Sequence, residues 1–213
     1  MRLDPWRERW EAGQTGFHEA APNALLVAHA DALVGQRRVL VPLCGKSNDL
    51  TYLRSRGHEV VGVEGVEMAA LAYFAERGVL PKDEVRDGAR TLSHDGVTIV
   101  VADYFDATLE PCDAVYDRGA IVAVDPSLRG RYAEKTLSLL TRPATLLVVG
   151  FSYDQTEMAG PPFSLSEGDV RALFGAHGAV EKASSRDALA ENPRFRERGA
   201  TAIEEAVFRV ELT

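Results

Sequence analysis

Cysteine is scarce in this chain: Cys44 and Cys112 are the only two among 213 residues. That is too few for a disulfide framework, and both are read as reduced thiols of a cytoplasmic protein. Long apolar runs are missing too. No stretch approaches the roughly 20 residues of a membrane span, and the opening MRLDPWRERW carries charge where a secretory signal needs an apolar run, so no membrane partner is expected. Basic excess is also lacking. Asp and Glu number 32 against 24 Lys and Arg, a net charge of −8, which argues against a phosphate-backbone binder and hence against nucleic acid as a partner. The five histidines, His18, His29, His58, His94 and His177, are scattered without ligand spacing, and no metal is expected. Two nucleotide motifs fail as well. The loop after the first apolar strand holds one glycine, Gly45, so the GxGxxG of nicotinamide and flavin enzymes is absent. CGKS at residues 44–47 lacks the upstream glycine of a phosphate-binding loop. Leu40 stands there, and Lys46 is read as a solvated residue at a helix start.

What is present is ordinary globular usage, 46% hydrophobic and 26% charged, in a length suited to one α/β domain, residues 1–213. Trp6 and Trp10 lie four apart on a helix over about 3–12, and a second helical pattern covers 23–34. Residues 1–35 are expected to cover the active site. Apolar, β-branched runs at 39–43, 59–64, 97–102, 113–116 and 145–151 read as buried strands, with helices at 48–56, through Met68, Leu71, Ala72 and Phe74 to a stop at Gly78, at 125–140 and at 166–174. Asp125-Pro126 opens one of these helices and a Ser166–Asp169 capping box another. Residues 81–96 are polar, interrupted by Pro81, Gly88 and Gly96, and are expected to be a surface excursion with little core. Strands near 179–184 and 202–211 close the chain. Alternation of strand and helix through 39–151 signals a parallel sheet with crossover helices, with an antiparallel finish.

In such sheets ligands bind beyond the carboxyl ends of the strands. The residues there are Leu43-Cys44-Gly45, Glu64, Asp103 and Asp117-Arg118. Gly45 permits close backbone approach to a ligand. Glu64 follows it by 19 residues, a spacing suited to a carboxylate that accepts both ribose hydroxyls of a nucleoside. Asp103 suits an adenine amino group. Trp10 and Phe17 precede the first strand and have no place in the alternating fold, so they are expected in a lid. Their faces suit a sulfonium cation and a flat heterocyclic acceptor. Trp6 reads as core and His18 as a hydrogen-bonded structural histidine.

Several longer segments carry a resemblance: W-x3-W-x4-T-x-FH at 6–18, RVLVPLCGKS at 38–47, GHEVVGVE at 57–64, VYDRGAIVAVDP at 115–126, YDQTEMAGPPFS at 153–164 and RFRERG at 194–199. Together, nearly end to end, the chain resembles the bacterial type of the thiopurine S-methyltransferases, a branch of the class I S-adenosylmethionine-dependent methyltransferases. That resemblance implies a Rossmann-like, mostly parallel sheet with helices on both faces and an antiparallel C-terminal strand. It implies S-adenosylmethionine as methyl donor, S-adenosylhomocysteine as product, and the sulfur of a small aromatic or heterocyclic thiol as acceptor, handled by a monomer. Trp10, Leu43, Glu64 and Arg118 fall on the family's cofactor positions, with Gly45 and Asp103 beside them. Arg118 and Arg198 fall near the acceptor. Asn48 and Thr51 stand where more apolar residues are expected, and Ala102 where bacterial relatives often have glycine. Direct displacement needs no acid or base residue. Two alternatives share the nucleoside site: a methyltransferase for inorganic anions such as selenite, tellurite or thiocyanate, and a non-catalytic nucleoside sensor.

Overall fold

The computed structural model describes residues 3–15 and 18–213, and the chain divides into two compact units, 1–115 and 116–213. The first begins with helices α1 (Asp4–Glu11) and α2 (Ala24–His29), the latter prolonged by a 3-10 turn at Ala30–Leu33. Then β1 (Arg38–Pro42), α3 (Asn48–Ser55), β2 (Glu59–Glu64) and α4 (Glu67–Ala75) alternate. Strands β3 (Lys82–Arg86), β4 (Ala89–His94) and β5 (Val97–Val101) follow, and β6 (Cys112–Arg118) runs on into the second unit. β2 lies parallel to β1, with Leu40 opposite Val61, and to β5, with Gly62 opposite Ile99. On its other side β1 pairs with the start of β6, Val39 opposite Ala114. The order here is β3-β4-β5-β2-β1-β6. Val39, Leu40, Val60, Val61, Val63 and Ile99 are all buried, the continuous apolar pattern of strands covered on both faces. Because β1, β2 and β5 run the same way, Leu43, Glu64 and Asp103 emerge at one edge.

The expectation for 81–96 needs correction. Those residues form an antiparallel hairpin of β3 and β4 and the turn into β5. Asp87 and Gly88 have φ of 50° and 80°, and Asp95 and Gly96 repeat this at 44° and 74°. Two left-handed residues in sequence make the tight turn whose twist suits a hairpin. The strands were obscured by their polar outer positions, since in β3 most side chains are exposed and in β4 only Thr91 and Leu92 are buried.

The second unit contains α5 (Arg129–Ser138), β7 (Leu140–Ser152), α6 (Glu167–Phe174), β8 (Gly178–Asp187), α7 (Pro193–Glu197) and β9 (Glu204–Leu212). Asp125 caps the turn into α5 by accepting the Ser127 N–H at 2.9 Å, and the Ser166–Asp169 capping box forms as the sequence suggests. β9 runs antiparallel to both β7 and β8, with Phe208 opposite Val148 and Val210 opposite Val180. The antiparallel finish is therefore present. No helix among the described residues is long and apolar enough to cross a membrane.

Candidate active site

The chain leaves β1 through a sharp bend. Leu43 has φ of 45° and Gly45 of 55°. A left-handed leucine is costly and persists only where the surroundings impose it. Here the Cys44 N–H donates to Val63 O at 3.1 Å and the Ser47 N–H to Cys44 O at 3.2 Å, while Ser47 caps α3 through the Asp49 N–H. Cys44 Sγ fills space left by Gly62, where an added Cβ would lie 2.5 Å from the sulfur. Burial pushes the Cys44 thiol well above the ordinary range, with the Glu64 charge adding to the effect.

Glu64, at the end of β2, is 6% exposed. Its Oε2 accepts the Gly45 N–H at 2.8 Å and its Oε1 the Val66 N–H at 2.7 Å. One carboxylate thus joins the loop after β1 to the loop after β2. Burial raises its pKa, and the N–H groups of Val66, Gly45 and Gly65 pull it back. A carboxylate oxygen accepts from two directions, so beside the Gly45 and Val66 N–H groups the carboxylate retains acceptor capacity of the kind ribose hydroxyls require.

The N-terminal segment lies across these same loops. The Trp10 ring rests on Gly45, 3.4 Å from where a Cβ would stand, and the Leu3 side chain occupies the place a Gly65 side chain would take. Trp10 is buried with Val66 and Ala69, and Trp6 packs against that cluster. Further on, the Asn23 N–H donates to the buried Asp49 carboxylate at 2.7 Å and Asn48 Nδ2 to Glu19 O at 3.0 Å, tying the approach to α2 onto the start of α3. Phe17 lies outside the described residues. Asp103 is half-buried beyond β5, one residue past the Ala102 N–H that donates to Glu64 O at 3.1 Å, and its Oδ1 accepts the Phe105 N–H at 3.0 Å.

Asn48 and Thr51, polar where apolar residues were expected, have a shared partner. Arg77 lies 3.7 Å over the Tyr73 ring and donates to Thr51 Oγ1 at 2.8 Å and to Asn48 Oδ1. Lys46 pairs with Glu76, so it is a surface ion-pair residue rather than a freely solvated one. Among the described residues no cluster of His, Cys, Asp and Glu could hold a metal.

In the second unit Arg118 ends β6 and is half-buried. The turn behind it is organised by Asp117, a residue the sequence placed at a strand end without a role. Its Oδ2 accepts the Tyr132 O–H at 2.6 Å and its Oδ1 the Ile121 N–H at 3.1 Å. Burial pushes this carboxyl up to about 6, against the pull of Tyr132, the Ile121 and Ala120 N–H groups and the Arg129 charge. A folded-state value above the unfolded one means the folded chain holds the extra proton between about pH 4 and 6. The contribution of Asp117 is full below that window and is lost as pH rises through it. Asp117→Asn should therefore flatten the fall of Tm between pH 4 and 6. Identical Tm-against-pH curves for variant and wild type would contradict this.

Arg198 closes α7. Its Nη1 donates to Pro161 O at 3.2 Å and its Nη2 to Ala159 O. The segment it holds is short of donors, because Pro161 and Pro162 have no N–H, so its carbonyls must be met by side chains. Tyr153 O–H donates to Pro162 O at 2.6 Å, Gln155 Nε2 to Met158 O at 2.7 Å, and Arg129 to Ser164 O and Phe163 O at 2.8 and 3.3 Å. Beneath it Met158, Ala188, Ala200 and Ile203 form an apolar cluster. The YDQTEMAGPPFS and RFRERG segments are thus one structure, which their separation of some thirty residues conceals in the sequence.

Comparison with known proteins shows the family and the fold. The family described as thiopurine S-methyltransferase (TPMT) matches residues 1–213. A thiopurine S-methyltransferase of Pseudomonas fluorescens (strain Pf0-1) is 39% identical over 215 residues, with 99% of each chain covered. One from Xanthomonas campestris pv. campestris (strain 8004) is 40% identical over 216 residues, again covering 99% of each. Among solved structures, the Burkholderia thailandensis 1,6-didemethyltoxoflavin-N1-methyltransferase, with its ligand and S-adenosylhomocysteine bound, has a TM-score of 0.66 at 20% identity. That match covers 98% of this chain and 86% of the other, a likeness of fold. On the match of its whole length and these relatives, the chain belongs to the thiopurine S-methyltransferase family.

Proposed function

We propose that this protein transfers a methyl group from S-adenosylmethionine to the sulfur of small aromatic or heterocyclic thiols. The observation that carries the reading is Glu64, a buried carboxylate held by the Gly45 and Val66 N–H groups at 2.8 and 2.7 Å. Its remaining acceptor capacity suits the two ribose hydroxyls, and its charge disfavours a 2′-phosphate. Leu43 and Gly45 would line the same nucleoside, and Asp103 would take the adenine amino group. Trp10, on Gly45, would present an aromatic face to the cationic donor and keep water from it. When bound, S-adenosylmethionine supplies a methyl carbon already activated by its sulfonium.

The chain's own task is then approach and alignment. Arg118 would serve donor and acceptor, and Arg198 the acceptor. A guanidinium stays protonated at neutral pH, so it favours an ionised thiol without acting as a base. The Cys44 thiol, pushed up by burial, is a poor nucleophile, which supports direct transfer without a methylated-cysteine intermediate.

An equilibrium-binding comparison tests the donor half. S-adenosylmethionine and S-adenosylhomocysteine should bind and displace one another, and NAD should displace neither. Displacement by NAD alone would refute the assignment.

A further inference from the structure

Arg129, which holds the Ser164 and Phe163 carbonyls, is the most deeply buried cation of the second unit, and neither donor nor acceptor has been assigned to it. It opens α5 and is 5% exposed. Its guanidinium donates to Ser164 O at 2.8 Å and Phe163 O at 3.3 Å, while its Nε is buried with no partner among the described residues. Burial lowers its pKa, and the charges of Asp169 and Asp117 oppose that. A buried cation with an unmet N–H is expensive. An apolar side chain of similar volume would fill the position without that cost, so packing alone does not account for a guanidinium here.

We propose that Arg129 is a positioning residue for the methyl acceptor, fixing the carbonyl-rich segment 161–164 on which Arg198 is set. Three residues further along α5, Tyr132 donates to Asp117 at 2.6 Å, which orders the turn behind Arg118. One face of α5 therefore holds both the Arg118 turn and the Arg198 loop. Phe163 is gripped from both sides of its backbone. Its N–H donates to Val122 O at 2.6 Å and its carbonyl accepts from Arg129. Its ring folds back over Gly160, where any side chain would collide with it. Ser164 is held likewise, its N–H donating to Gln155 Oε1 at 2.8 Å. Release of the two carbonyls would let Phe163 and the proline pair shift relative to Arg198. Displacements on the order of 1 Å cost up to about a hundredfold in rate when they misalign reactants.

The functional part of this inference rests on the reading of Arg198 as an acceptor residue, so the test has two readouts. The first is hydrogen exchange at the Phe163, Ser164 and Leu165 amides, which needs no activity. Arg129→Met should accelerate it at least about tenfold, and Arg129→Lys, which keeps the charge and a single donor nitrogen, should accelerate it less. The second is steady-state kinetics with thiophenol. Arg129→Met should raise KM for the thiol about tenfold or more while the S-adenosylmethionine Kd stays within about twofold, with Arg129→Lys between it and wild type. Should the methionine variant fail to fold, the lysine variant must show the same split alone. Unchanged exchange would overturn the proposal. So would equal weakening of donor and thiol with no recovery by lysine, which marks a merely structural residue. Faster exchange in a protein whose wild type methylates no thiol would instead refute the proposed function and leave the loop contact standing.

Discussion

Glu64→Ala is expected to weaken S-adenosylmethionine binding by about 2–4 kcal/mol, roughly 30- to 900-fold in Kd, and to lower Tm in the same protein. The affinity loss would follow from the two charge-assisted hydrogen bonds proposed between Glu64 and the ribose. The Tm loss follows from the Gly45 and Val66 N–H groups, which donate to the two carboxylate oxygens and would be left unpaired in a buried place. Glu64→Gln keeps the volume and one acceptor oxygen but turns an NH2 toward one of those N–H groups, so it should fall between alanine and wild type. Because burial raises the Glu64 pKa, donor affinity should also weaken as pH falls into the carboxylate range. Calorimetry and thermal melts read both effects. Unchanged affinity in a folded Glu64→Ala protein would remove Glu64 from the nucleoside site.

Arg198→Met carries the second large effect, about 10- to 100-fold lower kcat/KM for ionisable thiols with the S-adenosylmethionine Kd within about twofold. Two causes add. A positive charge that favours the thiolate is removed, and the Pro161 and Ala159 carbonyls lose their donor. The charge effect must shrink for thiols already ionised at the assay pH, since only a thiol that has to be deprotonated gains from the guanidinium. The carbonyl effect must not shrink with thiol acidity. A pH–rate profile across thiols of graded acidity separates the two. Lost donor affinity with unchanged acceptor dependence would place Arg198 on the wrong ligand.

Much of this was legible in the residues. Buried parallel strands announce themselves as apolar runs, and 59–64 matches β2 residue for residue. The carboxylate nineteen residues after Gly45 was the signal that led to the nucleoside-site proposal, because the βα geometry sets that separation. The sequence did not show that Glu64 also fastens two loops, since backbone donors leave no trace in side-chain identity. Hairpin β3–β4 hid behind charged outer positions, although Asp87-Gly88 and Asp95-Gly96 were the available signal. Asn48 and Thr51 looked like departures only because Arg77, their partner, lies in the turn after another helix, α4. Arg129 was invisible for the same reason. Its partners are carbonyls 34 and 35 residues away, and the clue was the proline pair, a stretch of chain with acceptors and few donors.

The proposed function is decided by where the methyl group goes. The decisive measurement follows labelled methyl from S-adenosylmethionine in a panel of a thiopurine, thiophenol, selenite, tellurite and no acceptor, with products identified by mass spectrometry. The expected result is label on the sulfur of the thiopurine and thiophenol, catalysed by wild type and depressed by Arg198→Met. Label confined to selenite or tellurite, or donor binding with no methylated thiol, would contradict it.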